Sequence, residues 1–220
     1  MDKYTLRDRD IEITNEFPTG HMDEFIHSAN DRNMSLLLMT HSFPYPYTEE
    51  DAVAFIDKNR ESGSEIFEID FYIVYRKRFA GIIGLSDIDY ENSRAHIGYW
   101  IGENYRNKGI GGKVVGMVVK FAREILNLNS LHTKVLTINI PSIIILTKNG
   151  FAIDGLSRHC FRYDNRFYSA FIFFFATLIF SGYNKICKNT VITGNLKCSY
   201  LNIILFMVIF INNNSISAFI

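Results

Sequence analysis

Tyr105-Arg106-Asn107-Lys108-Gly109-Ile110-Gly111-Gly112 is the stretch on which the reading of this chain turns. Residues of β-strand type precede it and a long amphipathic segment follows, so it joins a strand to a helix. Three glycines within four residues let the backbone approach a ligand more closely than side chains would allow. In that setting several N–H groups and the positive end of the helix point at one anion. A phosphate-bearing ligand is the natural expectation, with Arg106 and Lys108 adding positive charge beside it. The competing reading is that Gly109, Gly111 and Gly112 serve only a tight strand-to-helix turn.

Downstream of the turn, Val114, Val118, Phe121, Ala122 and Ile125 fall on one helical face, and Lys113, Lys120, Arg123 and Glu124 on the other. Upstream, residues 96–101 read as a strand, and 67–75 with 79–88 as an antiparallel hairpin across a short basic turn. Further back, Ile11, Ile13 and Phe17 suggest a first strand, and residues 20–30 carry helical spacing. Pro44 and Pro46 hold residues 42–47 extended, after which Thr48, with Asp51 three residues on, opens a helix running to about Arg60. Beyond the central helix, residues 133–138 alternate as a strand, Pro141 marks a helix start and Asn149-Gly150 its end. Strands near 151–163 and 167–175 follow. The sum is an α+β fold, a mixed and mainly antiparallel sheet with helices on both faces.

Composition narrows the function. Lys plus Arg equals Asp plus Glu at 23 each over 220 residues, so general attraction for nucleic acid is not expected. Cys160, Cys187 and Cys198 are odd in number and lack paired CxxC spacing, residues 1–10 do not resemble a signal peptide, and a cytoplasmic location is expected. His21, His27, His41, His132 and His159 are scattered with no ligand spacing, and no metal site is expected. After Asp164 there is no Asp or Glu, and apolar runs occupy 171–180 and 201–211. Residues 1–175 therefore read as one domain and 176–220 as an atypical tail rich in Ile, Asn and Phe. The tail is read as a product of read-through or a shifted frame, narrowly ahead of a membrane anchor, because its apolar runs are shorter than the roughly 20 residues that a spanning helix needs.

Two motifs at the right separation resemble the GNAT superfamily of N-acetyltransferases. Arg106-Asn-Lys-Gly109-Ile-Gly111 is similar to the family's Arg/Gln-x-x-Gly-x-Gly/Ala loop for the pyrophosphate of acetyl-CoA. Asn139-Ile-Pro-Ser142, leading to Lys148-Asn-Gly150-Phe151, is similar to its Asn-x-x-Ser and Lys-x-Gly-Phe segment. Together with Ile97-Gly-Tyr-Trp-Ile101 and Pro44-Tyr-Pro-Tyr47, they resemble the RimJ/RimL-type branch of ribosomal-protein N-terminal acetyltransferases. The resemblance covers roughly residues 11–175. It implies acetyl-CoA as co-substrate and a primary amine as acceptor, with a protein N-terminus favoured over polyamines or antibiotics. A sensor that binds acetyl-CoA without transferring it is the alternative.

The resemblance also assigns residues. A bulge in the strand before the loop would free N–H groups near Trp100 and Ile101 for pantetheine and the thioester carbonyl. Arg106, Asn107, Lys108, Gly109, Ile110, Gly111 and Gly112 would hold the pyrophosphate, Lys108 being either a contact or merely solvated. Asn139 would order a water or the pantetheine arm, or satisfy local backbone. Ser142 would donate a proton to the departing thiolate, or cap its helix. Many relatives carry Tyr where this chain has Leu146, so the common general acid is missing. His96 is the candidate base, with Glu103 or a water chain as alternatives.

Overall fold

A computed structural model describes residues 2–60 and 67–176. Strands β1 (Thr5–Asp8) and β2 (Ile11–Thr14) form a hairpin, followed by helices α1 (Met22–Ala29), α2 (Met34–Leu37) and α3 (Glu49–Arg60). A meander of β3 (Ile69–Tyr75), β4 (Arg78–Asp89) and β5 (Arg94–Ile101) leads to α4 (Ile110–Glu124), β6 (Ser130–Leu136) and α5 (Ile140–Lys148). The closing hairpin is β7 (Ala152–Tyr163) with β8 (Arg166–Ala176). The sheet order is β1-β2-β3-β4-β5-β6-β8-β7. Neighbours are antiparallel except β5 and β6, which run parallel.

Period-two alternation sorts the side chains into two cores. Ile69, Phe71 and Ile73 of β3 join Ile83, Leu85, Ala95 and Ile97 under the apolar stripe of α4, where Val114, Val118 and Phe121 are buried. On the other face Tyr72, Phe79 and Ile82 pack with Phe25 of α1 and Ala52 and Ile56 of α3. Phe25 stacks near Trp100, with ring centroids 6.3 Å apart. At the start of α3 the expected capping box is present. Asp51 accepts from the Thr48 N–H at 2.8 Å, and the Asp51 N–H donates to the Thr48 hydroxyl at 3.3 Å.

Several details differ from the sequence reading. Strand β1 was not foreseen, because Thr-Leu-Arg-Asp is a polar edge strand whose pairing, supported by Arg7 to Glu12, outweighs its weak pattern. Phe17 lies beyond β2 and packs its ring on Phe25 and Tyr72 instead. Ile125 is 53% exposed, because α4 ends one residue before it. The anticipated bulge is not in β5, whose register with β4 is unbroken from His96 to Ile101; irregularities fall in β4, near Ala80–Gly81 and at Asp87. Apart from its first residue, Ala176, which ends β8, the segment read as a tail (176–220) lies outside the described residues.

Candidate active site

The parallel pairing of β5 with β6 covers Arg94↔Ser130, Ala95↔Leu131 and His96↔His132, and there it stops. β5 continues to Ile101 and β6 to Leu136, so the two strands form a fork that opens toward the glycine turn. The Gly102 N–H donates to the Ala80 carbonyl at 2.9 Å, which fixes the phase of the β4–β5 ladder. Alternation then turns the N–H groups of Tyr99 and Ile101 into the fork and that of Trp100 toward β4.

Beyond the fork the turn reaches α4. Asn107 and Gly109 adopt positive φ, 60° and 75°, and Gly109 is the N-cap. The first bond across the helix start is from the Lys113 N–H to the Gly109 carbonyl, at 3.4 Å. The N–H groups of Ile110, Gly111 and Gly112 therefore lack an intrahelical acceptor, which is the anion-binding arrangement of a helix start. The three glycines have distinct reasons. Gly109 needs its positive φ, a Cβ on Gly111 would come 2.8 Å from Ile145 of α5, and a Cβ on Gly112 would meet nothing within 4 Å. The neighbouring cations are engaged. Arg106 donates to the Ile101 carbonyl at 2.9 Å and to Asp31 at 2.6 Å, while Lys108 folds back on the Asn104 carbonyl at 2.7 Å.

Helix α5 brings the second motif to the same cleft. Asn139 is its N-cap, with its side-chain oxygen accepting from the Ser142 N–H at 3.3 Å. Capping thus falls to Asn139, and the Ser142 hydroxyl is free to meet the Tyr99 hydroxyl at 2.7 Å. Burial, offset by the Ser142 hydrogen bond, pushes the Tyr99 phenol up to about 12, so it holds its proton at neutral pH. Leu146 is fully buried in the core. Tyr99 was missed by the sequence reading because nothing local in β5 reveals a partner on α5.

His96 stands at the apex of the fork. One ring nitrogen is 3.2 Å from the Ser86 hydroxyl and the other 3.3 Å from the Thr133 hydroxyl. Burial, His132 and Lys134 lower its pKa against the opposing pull of Asp87, so the imidazole is neutral. His96 and Tyr99 are three positions apart, which places their side chains on opposite faces of the sheet. Glu103 begins the 3-10 turn Glu103–Tyr105 and is exposed.

An acetyltransferase (GNAT) domain model matches residues 17–152. The chain belongs to the GNAT acetyltransferase family. The uncharacterised N-acetyltransferase p20 of Bacillus licheniformis is 36% identical over 93 residues, 42% of this chain and 52% of that protein. The matched segment thus spans about half the length of that relative. Solved structures share the GNAT fold. Spermidine N-acetyltransferase from Vibrio cholerae, in complex with CoA and spermine, superposes with a TM-score of 0.65 at 17% identity, covering 77% of this chain and 96% of that one. RimL, a ribosomal L7/L12 alpha-N-protein acetyltransferase in complex with coenzyme A, gives 0.67 at 17% identity, covering 79% and 98%. In this GNAT chain no helix among the described residues is long and apolar enough to cross a membrane.

Proposed function

We propose that the protein is an acetyl-CoA-dependent N-acetyltransferase that moves an acetyl group to a primary amine by direct attack, the amine being a protein N-terminus. The observation that carries this reading is the fork between β5 and β6, opening beside the unpaired N–H groups of Ile110, Gly111 and Gly112. The pyrophosphate of acetyl-CoA would sit on those groups and on Asn107 to Gly109. Pantetheine would add to β5 through the N–H groups of Tyr99 and Ile101, which also polarise the thioester carbonyl. Arg106 supports the site from behind by tying the end of β5 to Asp31.

The amine attacks the thioester carbon from the His96 face, the C–N bond forms, and the C–S bond breaks. The thiolate then takes a proton from the Ser142 hydroxyl, which the Tyr99 phenol replenishes at 2.7 Å, and Tyr99 regains from solvent a proton that balances the one the attacking nitrogen loses. This pair occupies the role left open by Leu146. The acceptor choice rests on the RimJ/RimL-type resemblance and on the likeness to RimL, while the likeness to spermidine N-acetyltransferase keeps a small amine as the rival. A panel of peptides with free N-termini, set against polyamines and read by free CoA release, decides between them. Faster turnover of a polyamine than of every peptide would replace the acceptor assignment. Saturable acetyl-CoA binding with no turnover of any amine would leave a non-catalytic binding module.

A further inference from the structure

The proposed reaction leaves one requirement unmet, because an amine arrives mostly as an ammonium and must lose a proton before it attacks. Both ring nitrogens of His96 already face hydroxyls. The same face of the sheet holds a second titratable group. Asp70 of β3 is paired across the ladder with Gly84 of β4, and Gly84 with Gly98 of β5. The Asp70 carboxylate is laid over Gly84 so closely that a Cβ there would come within 2.0 Å of its oxygen. Only glycine at 84 permits that placement. Gly98 continues the bare floor toward the fork, and the nearest atom to a Cβ built on it is His96 Cε1 at 3.7 Å. A strip without side chains therefore runs from a carboxylate, across two strands, to the histidine at the fork apex. Strand spacing puts Gly98 about 5 Å from the carboxylate.

Among the described residues no ion pair satisfies Asp70. Lys58, the cation that acts on it, is held by Glu68 at 2.9 Å. Burial first, then the Glu68 carboxylate, raise the Asp70 pKa to about 7 against the opposing effects of Lys58 and the Asn59 hydrogen bond. A carboxylate kept unpaired in this way has a structural cost that a functional role would explain.

We propose that Asp70 receives the ammonium of the acceptor on the floor formed by Gly84 and Gly98 and takes its proton, directly or through one water. This rests on the acetyltransferase reading and names its acceptor subsite. The ammonium becomes a neutral amine and Asp70 a carboxylic acid. Nitrogen then attacks the thioester and the C–S bond breaks; the nitrogen's second proton passes to solvent, while the thiolate is protonated through Ser142 and Tyr99, which solvent resupplies. Asp70 returns its proton to solvent when the product departs.

The test uses the full chain saturated with CoA and titrated calorimetrically with a tetrapeptide bearing a free α-amine, with its N-acetylated twin, and with butylamine. The parent is expected to bind the two free amines and not the acetylated peptide. Asp70→Asn is expected to weaken that binding at least tenfold while leaving acetyl-CoA affinity within twofold. Gly98→Ala, which the 3.7 Å clearance admits without collapse, is expected to weaken amine binding as well. The stability readout separates function from packing. The folded-state pKa of Asp70 lies above its ordinary value, so parent stability declines as pH rises from about 4 to 7 and stays low above that. Asp70→Asn should therefore melt no lower than the parent at pH 8. Equal binding of free and acetylated peptide by the parent, unchanged amine binding in Asp70→Asn, or a lower melting temperature at pH 8 would overturn the proposal. Amine binding that depends on Asp70 without any acetyl transfer would instead sink only the acetyltransferase reading.

Discussion

Tyr99 and Ser142 are forty-three positions apart in sequence and 2.7 Å apart in space, and their separation decides how each could be read. Ser142 was legible because it sits in the first turn of a helix marked by Pro141, next to a cap residue three positions earlier. Tyr99 was not, because its side chain acquires a role only when α5 packs over β5. The same holds for Asp70, whose partners Gly84 and Gly98 lie on two other strands. Tyr99→Phe keeps the ring and removes the relay, so kcat should fall by about a hundredfold, the lower end of the range for a positioned acid. Acetyl-CoA affinity should hold. Ser142→Ala should do the same, and the double variant should lose little more than either single one because the hydroxyls act as a unit. Steady-state kinetics with chemistry rate-limiting checks this, and fully multiplicative losses would mean that the two hydroxyls act independently. Arg106 belongs at this scale too. It was read as a cofactor contact, yet its guanidinium is spent on the Ile101 carbonyl and on Asp31, whose side chain is only 10% exposed. Arg106→Met should lower stability by about 1–3 kcal/mol in denaturant titrations. A variant as stable as the parent would show that the Asp31 contact contributes nothing.

Among the elements, the glycine turn was the most legible part of the chain, since a strand, a Gly-rich turn and an amphipathic helix each leave a local signature. What could not be read was that the glycines do different jobs. Gly109 satisfies a positive φ, whereas Gly111 lets α4 and α5 approach, a contact between helices that no spacing within α4 reveals. Gly111→Val should therefore lower the melting temperature, because its side chain would enter the space of Ile145. Gly109→Ala should cost about 1 kcal/mol for the left-handed backbone. Thermal melts of the pair check both, and an unchanged Gly111→Val melt would mean that Ile145 moves aside freely. The fork itself was expected from a bulge in β5. It arises instead where the β5–β6 pairing ends, with His96, Thr133 and His132 at its apex. Strand divergence is a property of two chains of residues at once, so neither strand announces it.

For the molecule as a whole, the order of strands and helices was legible because alternation and helical spacing persist through the body of the chain. The polar edge strand β1 was the main omission. The family match at residues 17–152 falls before Asp164, after which there is no Asp or Glu, whereas the last strand, Arg166–Ala176, lies at the start of that acid-free stretch. A chain ending at Ala176 is expected to stay in solution and to bind acetyl-CoA as the full chain does. Precipitation of the shortened chain, with the full chain sound, would assign residues 177–220 to the fold. The central claim, that acetyl-CoA is held by the start of α4 at the mouth of the fork, is open to one direct measurement. Acetyl-CoA is titrated calorimetrically into the full chain and into Gly112→Val, whose added side chain meets no protein atom at its Cβ and so should leave folding nearly intact. The prediction is single-site saturable binding by the parent and at least a tenfold loss in the variant at an unchanged melting temperature. Equal binding by both, or none by the parent, would contradict the account.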